Sequence, residues 1–259
     1  MICGLKRGTL FLIVVFLVAF FAWPGIGKEA PRYIFLFIGD GMGPQEVQAG
    51  RWWSQSTEGG KKDFHMVQFP VSSLVSTGSY QSELTDSAAA ATALATGVKT
   101  VIGTIAMDYT RTKKLKTIAE EALRKDRKVG IITTNPINDA TPAGFYAHQP
   151  SRQRYYEIAR DLVGSGFDFF AGSGMADPRG KKGNEPDIFG VAREKGYQVV
   201  RDRTRFDQLQ PGSGKVLAIL PISFAIDRKA GELTLSEIVQ TGIRFLEGRD
   251  GFFLMVEGG

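Results

Sequence analysis

Cysteine and histidine are nearly absent from this sequence. In 259 residues there is one cysteine, Cys3, and two histidines, His65 and His148. One cysteine cannot pair within the chain, so a disulfide framework is excluded. Two histidines cannot supply a site that needs three imidazoles. A charge excess of either sign is also missing: 32 Lys and Arg face 27 Asp and Glu, a formal net charge of +5. No basic stripe with interleaved aromatics appears, which excludes a nucleic-acid partner. The composition, 43% apolar and 23% charged, is that of a globular protein and excludes disorder, collagen and coiled coil.

What is present begins with an export pattern. Lys6 and Arg7 precede an unbroken apolar run from Leu10 to Trp23, which Pro24 ends before Gly25-Ile26-Gly27. A short basic segment, an apolar stretch and small residues at a cleavage position make a secretory signal. The run is shorter than the roughly 20 residues that span a bilayer comfortably. The expectation is a signal peptide over 1–27, a secreted or periplasmic product, no stable membrane span after cleavage, and a membrane tether only if the signal is kept. Cys3 precedes the apolar run, so it is no lipoprotein cysteine. Removing Lys6 and Arg7 lowers the formal charge to +3.

From Pro31 onward, short apolar runs alternate with helical patterns. The runs Tyr33–Ile38, Leu74–Thr77, Val129–Thr133, Phe167–Phe170, Tyr197–Val200, Lys215–Leu220 and Gly251–Val256 predict strands, the first buried on both faces. Helices are predicted over Asp86–Thr96, Thr117–Lys125, Arg152–Val163, Ile188–Lys195 and Ser236–Leu246, the last capped by Thr234 or Ser236. Residues 172–187 read as a surface loop. The alternation predicts one α/β fold with a mostly parallel sheet, whose functional groups gather beyond the carboxyl ends of strands.

Four places carry candidate chemistry. Asp40 stands among glycines directly after the first strand, where an acid meets a cation with little steric hindrance; the plainer reading is an Asp-Gly turn. The same turn resembles a dinucleotide fingerprint, but Pro44 stands at the third glycine and an internal acid would repel a pyrophosphate. Ser87 lies in Thr85-Asp86-Ser87-Ala88-Ala89-Ala90-Ala91-Thr92, in the first turn of a predicted helix, where free N–H groups favour an anion. The alternative is that Asp86 or Ser87 is only a helix cap. No G-x-S-x-G surrounds Ser87, so metal activation is favoured over a Ser-His-Asp triad. Asp139 and Thr141 supply hard oxygen donors suited to Mg²⁺, and Arg152 a fork for phosphate oxygens; a turn and a solvated Arg are the plain readings. Glu257 repeats the strand–acid–glycine order of Asp40. His65 and His148 read as structural or surface residues. Together, three acids, a threonine, a serine and an arginine beside one sheet suit metal-assisted phosphoryl transfer.

These residues resemble the alkaline phosphatase family. The resemblance rests on Ile38 to Gly43, Thr85 to Ala93, Thr96 to Thr100, Asp139 to Ala143, His148 to Arg152 and Gly251 to Gly259, in the family's order. It implies a three-layer α/β fold with helices on both faces of the sheet, and hydrolysis of small phosphomonoester substrates through a phosphoseryl intermediate with two Zn²⁺ and one Mg²⁺. Ser87 resembles the nucleophile, Arg152 the phosphate clamp and Asp86 the acid that steadies it. Asp40 resembles the carboxylate shared by one zinc and the magnesium. Thr141 and Glu257 resemble magnesium ligands, and Asp139 an acid just outside that ion's ligands. The family's other zinc ligands follow the Val-Glu-Gly-Gly strand, beyond Gly259. Residues 28–259 then resemble the N-terminal part of one catalytic domain, with exposed strand edges and little activity of its own. The alternative is a non-catalytic exported remnant that binds Mg²⁺ or phosphate weakly; a dinucleotide-binding oxidoreductase rests on the glycine-rich turn alone. The family often dimerises, and no surface in the sequence argues for a homodimer.

Overall fold

The computed structural model describes residues 31–57, 64–248 and 250–259. The signal expected over 1–27 lies outside them, as does Cys3.

The chain enters the fold through strand β1 (Tyr33–Gly39) and helix α1 (Pro44–Thr57). After a 3-10 turn at His65–Gln68 and a long irregular segment come helix α2 (Ser87–Thr96), helix α3 (Ile118–Arg124) and strand β2 (Lys128–Thr133). A single helical turn α4 (Ala140–Ala143) precedes α5 (Tyr155–Gly164), β3 (Phe169–Gly172), α6 (Ile188–Glu194) and β4 (Tyr197–Val200). Then follow α7 (Arg203–Asp207), β5 (Lys215–Ile219), α8 (Leu235–Leu246) and β6 (Phe252–Gly258).

The strands form one sheet in the order β1-β6-β2-β3-β5-β4, and every pairing is parallel. Alternation along each strand sends side chains to two cores. Phe253 and Met255 of β6, with Val129 and Ile131 of β2, enter one core, closed by alanines of α2 and α3 and by Ile158 and Leu162 of α5. Phe252, Leu254 and Val256 enter the other with Phe206 of α7 and Ile238, Phe245 and Leu246 of α8. The parallel sheet is the one that the alternating pattern predicts, and helices on both of its faces make the three-layer α/β arrangement that the family resemblance implies.

The structure corrects three readings. Leu74–Thr77 is not a strand: Leu74 and Val75 are exposed at 89% and 79%, and the segment joins no ladder of the sheet. β1 is not buried on both faces. Ile34, Leu36 and Ile38 pack on the first core, but Phe35 and Phe37 stay 42% and 62% exposed, because β1 is an edge strand and α8 packs over β2, β3 and β6 instead. The helix expected from Arg152 starts at Tyr155, so Arg152 sits in the turn before it. Among the described residues no helix is long and apolar enough to cross a membrane.

Candidate active site

The site is built from strand ends held side by side. β6 lies between β1 and β2, with Ile38 and Thr133 both in register with Glu257. Asp40 continues this order: its N–H donates to the Gly258 carbonyl at 3.0 Å. Two acids far apart in sequence are thus fixed at the carboxyl ends of neighbouring strands. Glu257 does not follow its strand, as the sequence suggested, but lies within it.

Helix α2 brings the serine. Asp86 is its N-cap, in extended conformation, with its carboxylate accepting from the Ala89 N–H at 2.9 Å. Gly97 ends it in the left-handed region at φ 73°, where a side chain would be strained. The alanine run has a packing role. Ala88, Ala91 and Ala95 are buried, and α4 lies so close that a Cβ at Gly144 would come within 2.7 Å of the Ala91 Cβ. Small residues therefore let two helices carrying Ser87 and Thr141 converge on one carboxylate. The Ser87 hydroxyl donates to Asp40 Oδ2 at 2.9 Å, and the Thr141 hydroxyl reaches the same oxygen at 3.5 Å.

Arg152 closes the site from the other side. Its guanidinium donates to Asp86 at 3.2 Å and to Asp139 at 3.3 Å. It stays 27% exposed, so part of the fork remains open to a ligand. Burial pushes the Asp86 carboxyl up, but the Ala89 and Gly103 amides and Arg152 outweigh it and hold it below the ordinary carboxylate range. Burial likewise opposes the charge on Arg152, and Asp139 and Asp86 more than restore it. Serine, arginine and both acids are thus coupled through Asp86, which caps the helix and orients the guanidinium.

Glu257 is fully buried. Burial raises its carboxyl above the usual range; bonds from Thr133 and Thr141 oppose this, and the charges of Asp40 and Asp139 add to it. Its hydrogen-bond partners are neutral: the hydroxyls of Thr133 and Thr141 and the Asn135 amide. A buried carboxyl facing two other acids, with only neutral partners, is where a divalent cation would relieve like-charge repulsion. Asp40, Thr141 and Glu257 offer only oxygen, which fits a hard cation such as Mg²⁺. Zinc fits less well. A zinc site takes three or four Cys, His, Asp or Glu ligands, and among the described residues no three such side chains are grouped closely enough to hold one ion. His65 lies in the 3-10 turn, and His148 is engaged by Glu120 and Ala106.

Sequence reasoning missed Thr133 and Asn135. Thr133 donates to Glu257 and accepts from the Asn135 N–H at 2.9 Å. A polar pair closing an apolar strand, in Val129 to Asn135, was the available signal.

The alkaline phosphatase family model matches residues 31–259. The chain belongs to the alkaline phosphatase family. It is 30% identical to alkaline phosphatase 4 of Drosophila melanogaster over 90% of this chain and 49% of that one. It is similar to the cold-active alkaline phosphatase of the psychrophile Shewanella sp., with a TM-score of 0.76 and 31% identity over 88% of this chain and 56% of that one. A mutant of TAB5 alkaline phosphatase, described with Mg bound, matches at a TM-score of 0.73 and 29% identity over 88% of this chain and 64% of that one. The chain spans about half the length of the curated relatives it matches. Family membership makes metal cofactors part of the expected chemistry and leaves the parallel sheet and its strand-end site in a known setting.

Proposed function

We propose that this chain carries the nucleophile, the phosphate clamp and the magnesium-binding face of an exported phosphomonoesterase. The observation that carries the reading is the Ser87 hydroxyl at a helix N-terminus, 2.9 Å from the Asp40 carboxylate, with Arg152 oriented by Asp86 and Asp139. A phosphate monoester seats its non-bridging oxygens against the open side of the Arg152 fork and the free N–H groups of α2. The Ser87 oxygen attacks phosphorus in line and passes its proton toward Asp40. The alkoxide leaves and takes up that proton, a phosphoseryl group remains, and water hydrolyses it to phosphate and free serine. Developing negative charge on the phosphoryl oxygens is met by donors fixed in advance. Asp40, Thr141 and Glu257 would hold Mg²⁺, with Asp139 beside it, and the bound ion would supply positive charge that offsets the repulsion among these acids. Two Zn²⁺, which the family resemblance implies, have too few donors among the described residues, so no step is assigned to them, and the isolated chain is expected to turn over slowly. Export is proposed from the pattern at 1–27.

The test is covalent capture. The purified chain is incubated with an aryl phosphate and Mg²⁺, quenched in acid, digested and weighed. A phosphoryl group on the peptide containing Ser87, absent in Ser87→Ala, is the expected result. Hydrolysis that survives Ser87→Ala would sink the reading. The non-catalytic alternative, a remnant that binds phosphate or Mg²⁺ weakly, predicts binding of inorganic phosphate with no label on Ser87.

A further inference from the structure

Arg152 has to be held relative to Ser87, and the covalent chain does not do it directly. A loop over residues 101–107 does. Toward α2, the Gly103 N–H donates to Asp86 at 3.1 Å, the Thr92 hydroxyl donates to the Thr104 carbonyl at 3.1 Å, and the Ala106 N–H donates back to that hydroxyl at 2.9 Å. Toward Arg152, Ile105 and Gln149 exchange two backbone bonds at 3.0 Å each, and the Arg152 N–H donates to the Gly103 carbonyl at 2.7 Å. The loop is therefore a strut between the serine helix and the arginine.

Ala106 is its strained point. It is fully buried and has φ 38°, a left-handed conformation unfavourable for alanine. Its carbonyl accepts from the Leu115 N–H and from His148 Nδ1, both at 2.9 Å. The other ring nitrogen, Nε2, faces Glu120 Oε1 at 2.9 Å, and the second Glu120 oxygen accepts from the Thr117 N–H at 2.8 Å. A carbonyl and an ionised carboxylate only accept, so both ring nitrogens must donate. An imidazole that donates twice is a cation.

We propose that His148 is a positioning residue: a fixed imidazolium that pins the Ala106 carbonyl to Glu120 and so sets Arg152 against the helix carrying Ser87. The proposal rests on Arg152 being the phosphate clamp only where phosphate is the readout. Burial opposes charge on the ring, but Glu120 and the Ala106 carbonyl outweigh it and raise the imidazole above its ordinary value. The charged groups facing it are Glu120 from α3, Asp161 from α5, which accepts from the His148 backbone N–H at 3.0 Å, and Lys114 from the segment before α3, which opposes protonation. A raised folded value means that the clamp is complete below about pH 6.5, the unfolded value, and is lost as pH rises through the folded one.

Three measurements on the full chain decide it. In ring ¹⁵N spectra at about pH 6.5, the unfolded value, with His148→Gln used to separate His148 from His65, both His148 nitrogens are expected to carry protons in most molecules. A neutral tautomer there overturns the proposal. The Arg152 Nε–H signal, identified with Arg152→Lys, is expected to move in His148→Gln and Glu120→Gln; an unmoved signal in either folded variant also overturns it. Inorganic phosphate, titrated with Mg²⁺ present, is expected to bind about tenfold more weakly to both variants, the loss of one charged hydrogen bond. Wild-type affinity should fall at high pH along the His148 titration, and that limb should be absent in His148→Gln. If the wild type binds no phosphate, the proposed clamp function fails, while the two spectra still decide the role of His148.

Discussion

Asp86 is the residue on which most of the site depends. It caps α2, receives the Gly103 amide and orients Arg152. Its lowered carboxyl makes a pH prediction with a definite sign. A depressed folded value adds stability above the unfolded value, near 3.8, and that stability is lost as pH falls through the folded one. Asp86→Asn keeps the cap, since Asn caps as well as Asp, but loses the ion pair. Its urea midpoint should lie below the wild type at pH 7 and converge with it as the pH is lowered. Asp86→Ala should cost a further ~1 kcal/mol through the lost cap. Glu257 makes a second prediction. Added Mg²⁺ should raise the melting temperature through mass action, the stabilisation being about 2.7 kcal/mol at a hundred times its Kd. Glu257→Gln should abolish that gain; an equal gain in the variant would place the ion elsewhere.

At the residue scale two placements were legible, because Asp40 and Glu257 each stand at the carboxyl end of a strand with a glycine after them. Asp40, Ser87, Thr141, Glu257, Asp139 and Arg152 all meet at one end of the sheet, as their order in sequence suggested. The binding network around them was not. Thr133, Asn135 and the 101–107 strut act through backbone groups and hydroxyls, whose partners are set by tertiary packing and leave no periodic trace in sequence.

At the scale of elements, capping chemistry was the more reliable signal and apolarity the less. Thr117 and Thr234 each close a capping box, with Glu120 and Glu237. Helix α1 went unread because Trp52 and Trp53 are both exposed, at 66% and 69%, so its apolar residues trace no buried stripe. Pro44 at its first position and Glu46, which accepts from the Gly43 N–H at 2.9 Å, were the usable marks. The strand reading of Leu74–Thr77 failed for the opposite reason: an apolar run needs a partner to become a strand. The close contact of α2 with α4 at Ala91 and Gly144 gives an element-scale prediction. Ala91→Leu overpacks it and should cost about 1–3 kcal/mol, read as a lower urea midpoint. The same change should lower phosphate affinity although residue 91 touches no ligand, because Ser87 and Thr141 are carried apart.

At the scale of the whole molecule, the outer face of β1 stands out. Phe35 and Phe37 stack with their rings 6.1 Å apart, and Phe35 meets Phe252 edge-on at 5.2 Å. Exposed aromatics on an edge strand invite association. The chain is expected to bind a hydrophobic dye and to elute larger at higher concentration. Phe37→Lys should reduce both effects with little change in melting temperature, since its ring is mostly in solvent. Dye binding unchanged in the variant would place the sticky surface elsewhere, for example at Trp52 and Trp53.

The sheet order has a further consequence, in time rather than in space. Among the described residues β6 is the latest of the six strands, yet it lies between the first two. A ribosome or a translocon delivers β1 more than two hundred residues before the strand that will pair with it. During that interval β1 has no parallel partner, and Asp40 and Glu257 belong to no common site. Such long-range parallel pairing is slow to nucleate, and an unpaired aromatic strand is a target for chaperones and for misassembly. The strand that brings Asp40 and Glu257 together is thus also the one that joins β1 to the rest of the described sheet.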